Sequence, residues 1–272
     1  MKKIPSYNTP EDLRALADGY MDVQQNEEFA CCLQQLASAE EGDKVAQYYM
    51  GNYYLQGEVV PQDYDQAIKW YAKSAENGYA PAQYNLAVCY YNGQGVPSRD
   101  YENAAKWFEV AANELVSAQF NLALCYELGI GVTQDSAKAV DLYHKGAVAG
   151  DSFSQCNLGS SYYEGVGVPQ NYDKALEWYS ASALQGNAEA MYNIGNACYE
   201  GKGIEKSYEQ ACEWYAKAAE LGHVGAIYNI AICYREGLGV EKNDETANIF
   251  FKAAAEKGHT GAIEKLTLGK KG

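Results

Sequence analysis

The sequence predicts an all-α fold in which antiparallel helix pairs stack into a solenoid, and three observations predict it. A small residue recurs every 36 positions along most of the chain: Ala46, Ala82, Ala118, Ser154, Ala190, Ala226 and Ala262. Each of these residues opens a segment with apolar side chains at helical spacing, and each complete segment runs into a turn that contains glycine. Because one helix pair cannot bury its apolar faces alone, stacking of neighbouring pairs must make one continuous core.

The first helix of each repeat is predicted by an apolar stripe that starts at the small residue. Ala82, Leu86 and Tyr90 show it, because residues four and eight places apart lie on one helical face. Five of these helices end in a pair of glycines: Gly93 and Gly95, Gly129 and Gly131, Gly165 and Gly167, Gly201 and Gly203, Gly237 and Gly239. The first glycine suits the left-handed position that ends a helix. Repeat one departs, because Gly57 is followed by Val59 where the second glycine is expected.

The second helix of each repeat is predicted to start after a residue that can cap it. Such residues accept hydrogen bonds from the unpaired amides of a first turn, and they are Asp63, Asp100, Asp135, Asn171, Ser207 and Asn243. Glycines are expected to end these helices: Gly78, Gly150, Gly186, Gly222 and Gly258. Repeat two lacks this glycine, and one insertion and one deletion offset each other within it. Either sequence drift or a local bend that shapes a binding surface would explain this irregularity.

The repeats divide the chain into three predicted parts. Residues 1–44 are expected to form an irregular capping helix pair, because Thr9 can cap a helix that starts at Pro10 with acids in its first turn. Residues 45–261 hold six full repeats, and residues 262–272 form a truncated capping helix and a tail. The count is roughly fifteen helices, since terminal units of solenoids are usually atypical.

Composition narrows the possible partners and compartment. The formal net charge of −15 argues against nucleic acid, whose binding depends on a basic surface. The sequence has no run of 18 apolar residues and no signal peptide at its start, so we expect no membrane span and a cytoplasmic protein. The eight cysteines form no CxxC pair. We therefore expect free thiols, no metal site and no cofactor.

The repeat consensus resembles the Sel-one-like repeat, a relative of the tetratricopeptide repeat, over about residues 28–268. Segments such as AQYNLAVCYYNGQGV, followed by an alanine and then a tryptophan with a second aromatic residue after it, carry the resemblance. It implies a right-handed superhelix with a concave inner face, and adaptor or scaffold work in many members. Some cysteine-rich bacterial relatives have been described as penicillin-binding or β-lactamase-like. A hydrolase therefore stays an alternative, although the serine motifs of β-lactamases are absent; a purely structural, self-assembling module is a third.

Two columns of polar residues are the candidate binding residues. By resemblance to tetratricopeptide domains, the first column points into the groove, where an amide can both donate to and accept from a peptide backbone. It consists of Asn85, Asn121, Asn157, Asn193 and Asn229. The second column lies seven residues further on, on the same face, and holds carboxylates in the last three repeats: Glu164, Glu200 and Glu236. Together they predict that a protein or extended peptide, basic or polar, binds on the concave face.

Structural readings of the same residues stay open. The asparagines can instead tie neighbouring repeats together, and the glutamates can form a solvated face. Tyr192 and Tyr228 can give a peptide flat contact area or pack in the core. His223 and His259 follow helix-ending glycines, where capping is expected rather than metal binding. No residue is assigned a catalytic role.

Overall fold

The structure is a computed structural model that describes residues 1–22 and 27–268. It forms two compact units, Met1–Asp135 and Ser136–Gly272. In the described residues all regular structure is α-helical, and fifteen helices are present. Parts of the predicted terminal caps, residues 23–26 and 269–272, lie outside the described residues.

Seven helices form the first unit, and each packs against the next one along the chain. They are α1 (Pro10–Asp22), α2 (Glu27–Glu40), α3 (Lys44–Gln56), α4 (Tyr64–Glu76), α5 (Ala80–Asn92), α6 (Tyr101–Ala111) and α7 (Val116–Leu128). Thr9 caps α1 as predicted: its hydroxyl accepts from the Asp12 amide at 3.2 Å, and the Asp12 carboxylate accepts from the Thr9 amide at 3.1 Å.

Eight helices form the second unit with the same sequential packing. They are α8 (Ser136–Val148), α9 (Ser152–Glu164), α10 (Tyr172–Leu184), α11 (Ala188–Glu200), α12 (Tyr208–Glu220), α13 (Val224–Glu236), α14 (Asp244–Glu256) and α15 (Thr260–Leu268). The sequence predicted that the last helix starts at Ala262, and it starts two residues earlier, at Thr260. The predicted solenoid of helix pairs is confirmed.

The predicted helix ends are present. Five of the predicted second-helix caps accept a hydrogen bond from the amide three residues on: Asp63, Asp100, Asn171, Ser207 and Asn243. The sixth, Asp135, directly precedes α8. In repeat two, where the helix-ending glycine is missing, α6 has 11 residues instead of the 13 of α5 and α7.

The second glycine of each turn is required by a close approach between repeats. Gly203 has a φ of +70°, and a Cβ placed on it would lie 2.6 Å from the Tyr172 Cβ and 3.0 Å from the Tyr172 carbonyl. The turn before α12 thus rests on the start of α10. Val59 takes this place in repeat one, and its carbonyl accepts from the Lys2 amide at 3.2 Å. The N-terminal segment therefore covers this turn.

A buried ring on the second helix packs against a small residue on the first helix of the same repeat. Tyr215 is 2 % exposed and lies against Gly195, while its hydroxyl donates to Asn196 Oδ1 at 2.8 Å. Tyr179 packs in the same way against Gly159, and its hydroxyl bonds the neighbouring Ser160. Repeat one repeats the arrangement with the Tyr71 ring on Gly51 and the Tyr71 hydroxyl on Asn52. In the last repeat Phe251 replaces the tyrosine, and Ala231 and Ile232 pack with it.

Two histidines cap first helices, as predicted. Nδ1 of His223 accepts from the Ala226 amide at 3.0 Å, and Nδ1 of His259 accepts from the Ala262 amide at 3.2 Å. The Nε2 atom of His223 lies 3.0 Å from Glu189 Oε2, and this hydrogen bond lowers the pKa of the Glu189 carboxyl while its burial opposes the shift.

We expect His223→Ala to lower the free energy of unfolding by about 1 kcal/mol, because the first turn of α13 loses its cap. His223→Asn is the matched control, because Asn187 caps α11 from the equivalent position. Denaturant unfolding at neutral pH measures both variants. Equal losses would show that the ring of His223, and not its capping bond, is what stabilises this turn.

Candidate functional site

Three asparagines of the first column donate side-chain hydrogen bonds to other residues of the protein. Asn85 Nδ2 lies 3.4 Å from Asn52 Oδ1, and Asn229 Nδ2 lies 3.4 Å from Asn196 Oδ1. Each contact joins the first helices of consecutive repeats. Asn121 Nδ2 donates to the Tyr84 hydroxyl at 3.2 Å and to the Ser117 carbonyl at 2.9 Å. These side chains therefore tie repeats together.

Asn157 and Asn193 are much less engaged. Asn193 Nδ2 has only a long contact of 4.0 Å with the Cys156 sulfur. The Asn157 side chain makes no hydrogen bond with the described residues, although its backbone carbonyl accepts from the Ser161 hydroxyl at 3.0 Å. Both side chains are half-buried. The column thus contains tied members and members with free hydrogen-bonding groups.

The ties use the amide donor and leave the amide oxygen open. Within residues 1–22 and 27–268, no hydrogen bond reaches the side-chain oxygen of any column asparagine. None of these oxygens is a fully buried atom without a partner. An exposed amide oxygen can accept from a backbone N–H or from a Lys or Arg side chain.

One cleft brings the two predicted columns together. It has a volume of about 250 Å³ and is lined by Asn196, Tyr199, Glu200, Tyr215, Asn229 and Ile232. Glu200 from one repeat and Asn229 from the next therefore share a wall. Asn196 was not predicted; it accepts from both Tyr215 and Asn229 and fixes their positions. Burial raises the pKa of the Tyr215 phenol, which keeps this donor protonated.

The three glutamates of the second column differ in their surroundings. Glu200 Oε2 accepts from Lys202 Nζ at 2.7 Å and from the Tyr163 hydroxyl at 3.0 Å. The bond to Lys202 is the main reason that the pKa of Glu200 is lowered, and burial opposes it. Glu164 and Glu236 are exposed, with no ion pair to the described residues. Lys202 offsets the charge of Glu200, so Glu164 and Glu236 are the freer carboxylates.

Tyr192 and Tyr228 are engaged in packing inside the protein. The Tyr192 ring stacks on His223 with centroids 4.4 Å apart, and the Tyr228 ring stacks on His259 at 4.3 Å. Tyr228 also meets Phe251 edge-on at 5.6 Å. Both tyrosines are half-buried, so part of each ring still faces solvent.

No helix in the described part of the chain is long and apolar enough to cross a membrane. No group of three or more His, Cys, Asp or Glu side chains there could hold a metal ion.

Comparison with known proteins identifies the repeat. The Sel1 repeat model matches residues 44–79, 80–114, 116–151, 152–187, 188–223 and 224–259. Crystal structures of similar fold include c5321, a protective antigen of uropathogenic Escherichia coli displaying an SLR fold, with 36% identity and a TM-score of 0.79. That match covers 85% of this chain and 50% of the antigen, so the chain spans about half the antigen's length.

A second structure matches along nearly all of its length. A Sel1 repeat protein from Oxalobacter formigenes has 26% identity and a TM-score of 0.76, covering 89% of this chain and 96% of that protein. The immunity protein PA5088 from Pseudomonas aeruginosa shares the fold at 18% identity and a TM-score of 0.51, covering 78% of this chain and 80% of that one. The search of curated protein sequences returned no significant match.

Proposed function

The chain belongs to the Sel1 repeat family, and we propose that it is a scaffold that binds an extended, basic segment of a protein partner along its asparagine column. Sel1 repeat proteins are generally protein-interaction scaffolds. The proposal adds the place of binding and the chemistry of the partner. Cytoplasmic localisation, the hydrolase alternative and the self-assembly alternative stay predictions of the sequence.

The observation that carries the proposal is the row of open amide oxygens within each compact unit, which Asn157, Asn193 and Asn229 form in the second unit. An extended peptide presents an N–H group at regular intervals, and side-chain amide oxygens on successive first helices can accept from it. Because Asn157 and Asn193 also keep donor groups that make no short hydrogen bond, they can bind peptide carbonyls as well. These two residues should therefore contribute most to binding.

The charge of the protein supports a basic partner. Its formal net charge is −15, and Glu164 and Glu236 add exposed carboxylates beside the asparagines. Opposite charge across an interface mainly raises the association rate and selects the partner, and salt screens it. A partner segment rich in Lys or Arg satisfies both the open oxygens and the carboxylates.

We expect Asn157→Ala and Asn193→Ala each to weaken peptide binding by about 1–2 kcal/mol, because a polar group of the peptide loses its partner. The probe is an array of 12-residue peptides of random sequence, from which bound peptides are selected and measured by titration. Selected peptides should be enriched in Lys and Arg. The double variant Asn157→Ala/Asn193→Ala should bind more weakly than either single variant.

Asn229→Ala is the matched control, because its amide already bonds Asn196. It should lower the melting temperature more than the other two variants do. Glu164→Gln and Glu236→Gln should reduce the preference for Lys and Arg more than Glu200→Gln, since Lys202 already pairs with Glu200. Unchanged binding together with a clear loss of stability in Asn157→Ala and Asn193→Ala would leave the column purely structural.

A further inference from the structure

Two cysteines from consecutive repeats line one cavity in the second unit. The cavity has a volume of about 350 Å³ and lies among α12, α13, α14 and the turn that follows α13. Cys212 enters it from α12 and Cys233 from α13, beside Ile230, Val240 and Phe250. A water molecule occupies about 30 Å³ in the liquid, so this cavity is large enough to admit a small molecule to the partly exposed Cys212.

The two cysteines share one cavity wall and one core cluster. The Cys212 thiol donates to the Leu238 carbonyl at 3.2 Å, which fixes its direction. Cys233 is 1 % exposed in the core cluster that Cys212 packs against. The interaction between the two thiols lowers the pKa of Cys212, against the effect of burial, and together with burial raises the pKa of Cys233.

The other six cysteines lack this combination. Five of them are buried, and burial raises the pKa of each: Cys32, Cys89, Cys125, Cys156 and Cys198. Cys31 is exposed, and the Tyr53 hydroxyl lies 3.8 Å from its sulfur. A thiol is reactive when it is both accessible and readily ionised, and Cys212 meets both conditions.

We propose that Cys212 and Cys233 form an oxidisable dithiol site, at which a small hydroperoxide converts the two thiols into a disulfide between α12 and α13. The inference is independent of the peptide-binding function. The Cys212 thiolate attacks the peroxide: an S–O bond forms, the O–O bond breaks, and the alkoxide or hydroxide that leaves takes up the proton released by Cys212. The Cys233 thiol then attacks the sulfenic sulfur of Cys212. The S–S bond forms, the S–O bond breaks, and the hydroxide that leaves takes the Cys233 proton and becomes water.

The step is balanced by the two partners named. The thiols lose two electrons and two protons, and the hydroperoxide is reduced to an alcohol, or water, plus water. The product joins residues of the repeats 188–223 and 224–259. Oxidation would therefore cross-link two neighbouring repeats that are otherwise held by packing and hydrogen bonds.

The test is oxidation of the full, reduced chain with a few equivalents of hydrogen peroxide, followed by non-reducing digestion and mass spectrometry. We expect one linked peptide pair, Cys212 with Cys233, lighter by two hydrogen atoms. Because the chain has eight free cysteines, loss of this pair should leave six titratable thiols. Persistence of all eight thiols, linkage of another pair, or oxidation confined to Cys31 would overturn the proposal.

Three variants separate the chemistry from effects on folding. Cys212→Ser should abolish the linked pair, whereas Cys233→Ser should leave a sulfenic acid on Cys212 that dimedone traps. Cys125→Ser is the matched control, because Cys125 occupies in α7 the position that Cys233 occupies in α13; it should leave the linked pair intact. If Cys233→Ser does not fold, as shown by circular dichroism, the reduced and oxidised wild-type chains still decide the outcome.

Discussion

Replacement of Gly195 by alanine is expected to lower the free energy of unfolding by about 3 kcal/mol, through overpacking of the core. A Cβ at this position would lie 2.6 Å from Cε1 and 2.7 Å from Cδ1 of Tyr215. The Tyr215 ring is buried and its hydroxyl is bonded to Asn196, so moving the ring also breaks a part-buried hydrogen bond. Denaturant unfolding followed by circular dichroism measures the loss.

Gly19→Ala is the control for this prediction. Gly19 lies within α1, and a Cβ there would meet no atom within 4 Å. Alanine is better than glycine inside a helix by about 0.5–1 kcal/mol, so this variant should be slightly more stable than the wild type. A Gly195→Ala protein as stable as the wild type would contradict the packing described for Tyr215.

Gly203→Ala should be at least as damaging, with an expected loss of about 3–4 kcal/mol. The residue has a φ of +70°, where an L side chain costs about 1–2 kcal/mol. The new Cβ would also lie 2.6 Å from the Tyr172 Cβ, and overpacking adds about 1–3 kcal/mol. The turn before α12 would have to move away from α10. The same unfolding measurement applies.

Gly186→Ala separates these two contributions. Gly186 has a φ of +84°, but a Cβ there would meet no atom within 4 Å. This variant should therefore lose only the conformational part, about 1–2 kcal/mol. The difference between the two variants measures the cost of the close approach, and equal losses would refute that contact.

Much of the fold could be predicted because the residues that start and end each helix act on their immediate neighbours in the sequence. The caps at Asp63 and Asn171 and the glycines at the helix ends act within a few residues of where they stand. Their consequences are therefore visible in the sequence. The capping role of His223 followed from its position after Gly222, which other repeats fill with Asp151 and Asn187.

The site was less predictable, because its contacts join residues about 20 to 40 positions apart. Asn196 receives hydrogen bonds from Tyr215 and Asn229, and no local pattern reveals either partner. Asn52 and Ser160 occupy the repeat position of Asn196 and also bond a buried tyrosine. The recurrence of polar residues at this position could therefore have indicated the role of Asn196. Lys202 pairs with Glu200 from only two residues away. The sequence therefore already indicated that Glu200 is a less available carboxylate than Glu164 and Glu236.

The match between a buried ring and the small and polar residues opposite it defines which parts of the chain can be exchanged. Gly195 and Asn196 lie on α11 and accept Tyr215 from α12, whereas Ala231 and Ile232 on α13 accept Phe251 from α14. A chimera that combines α13 with α12 would place an apolar side chain against a phenol and a methyl group against its ring. In these two repeats the two helices of a pair are therefore matched to each other, and we expect an exchange of whole pairs between them to cost less stability than an exchange of single helices.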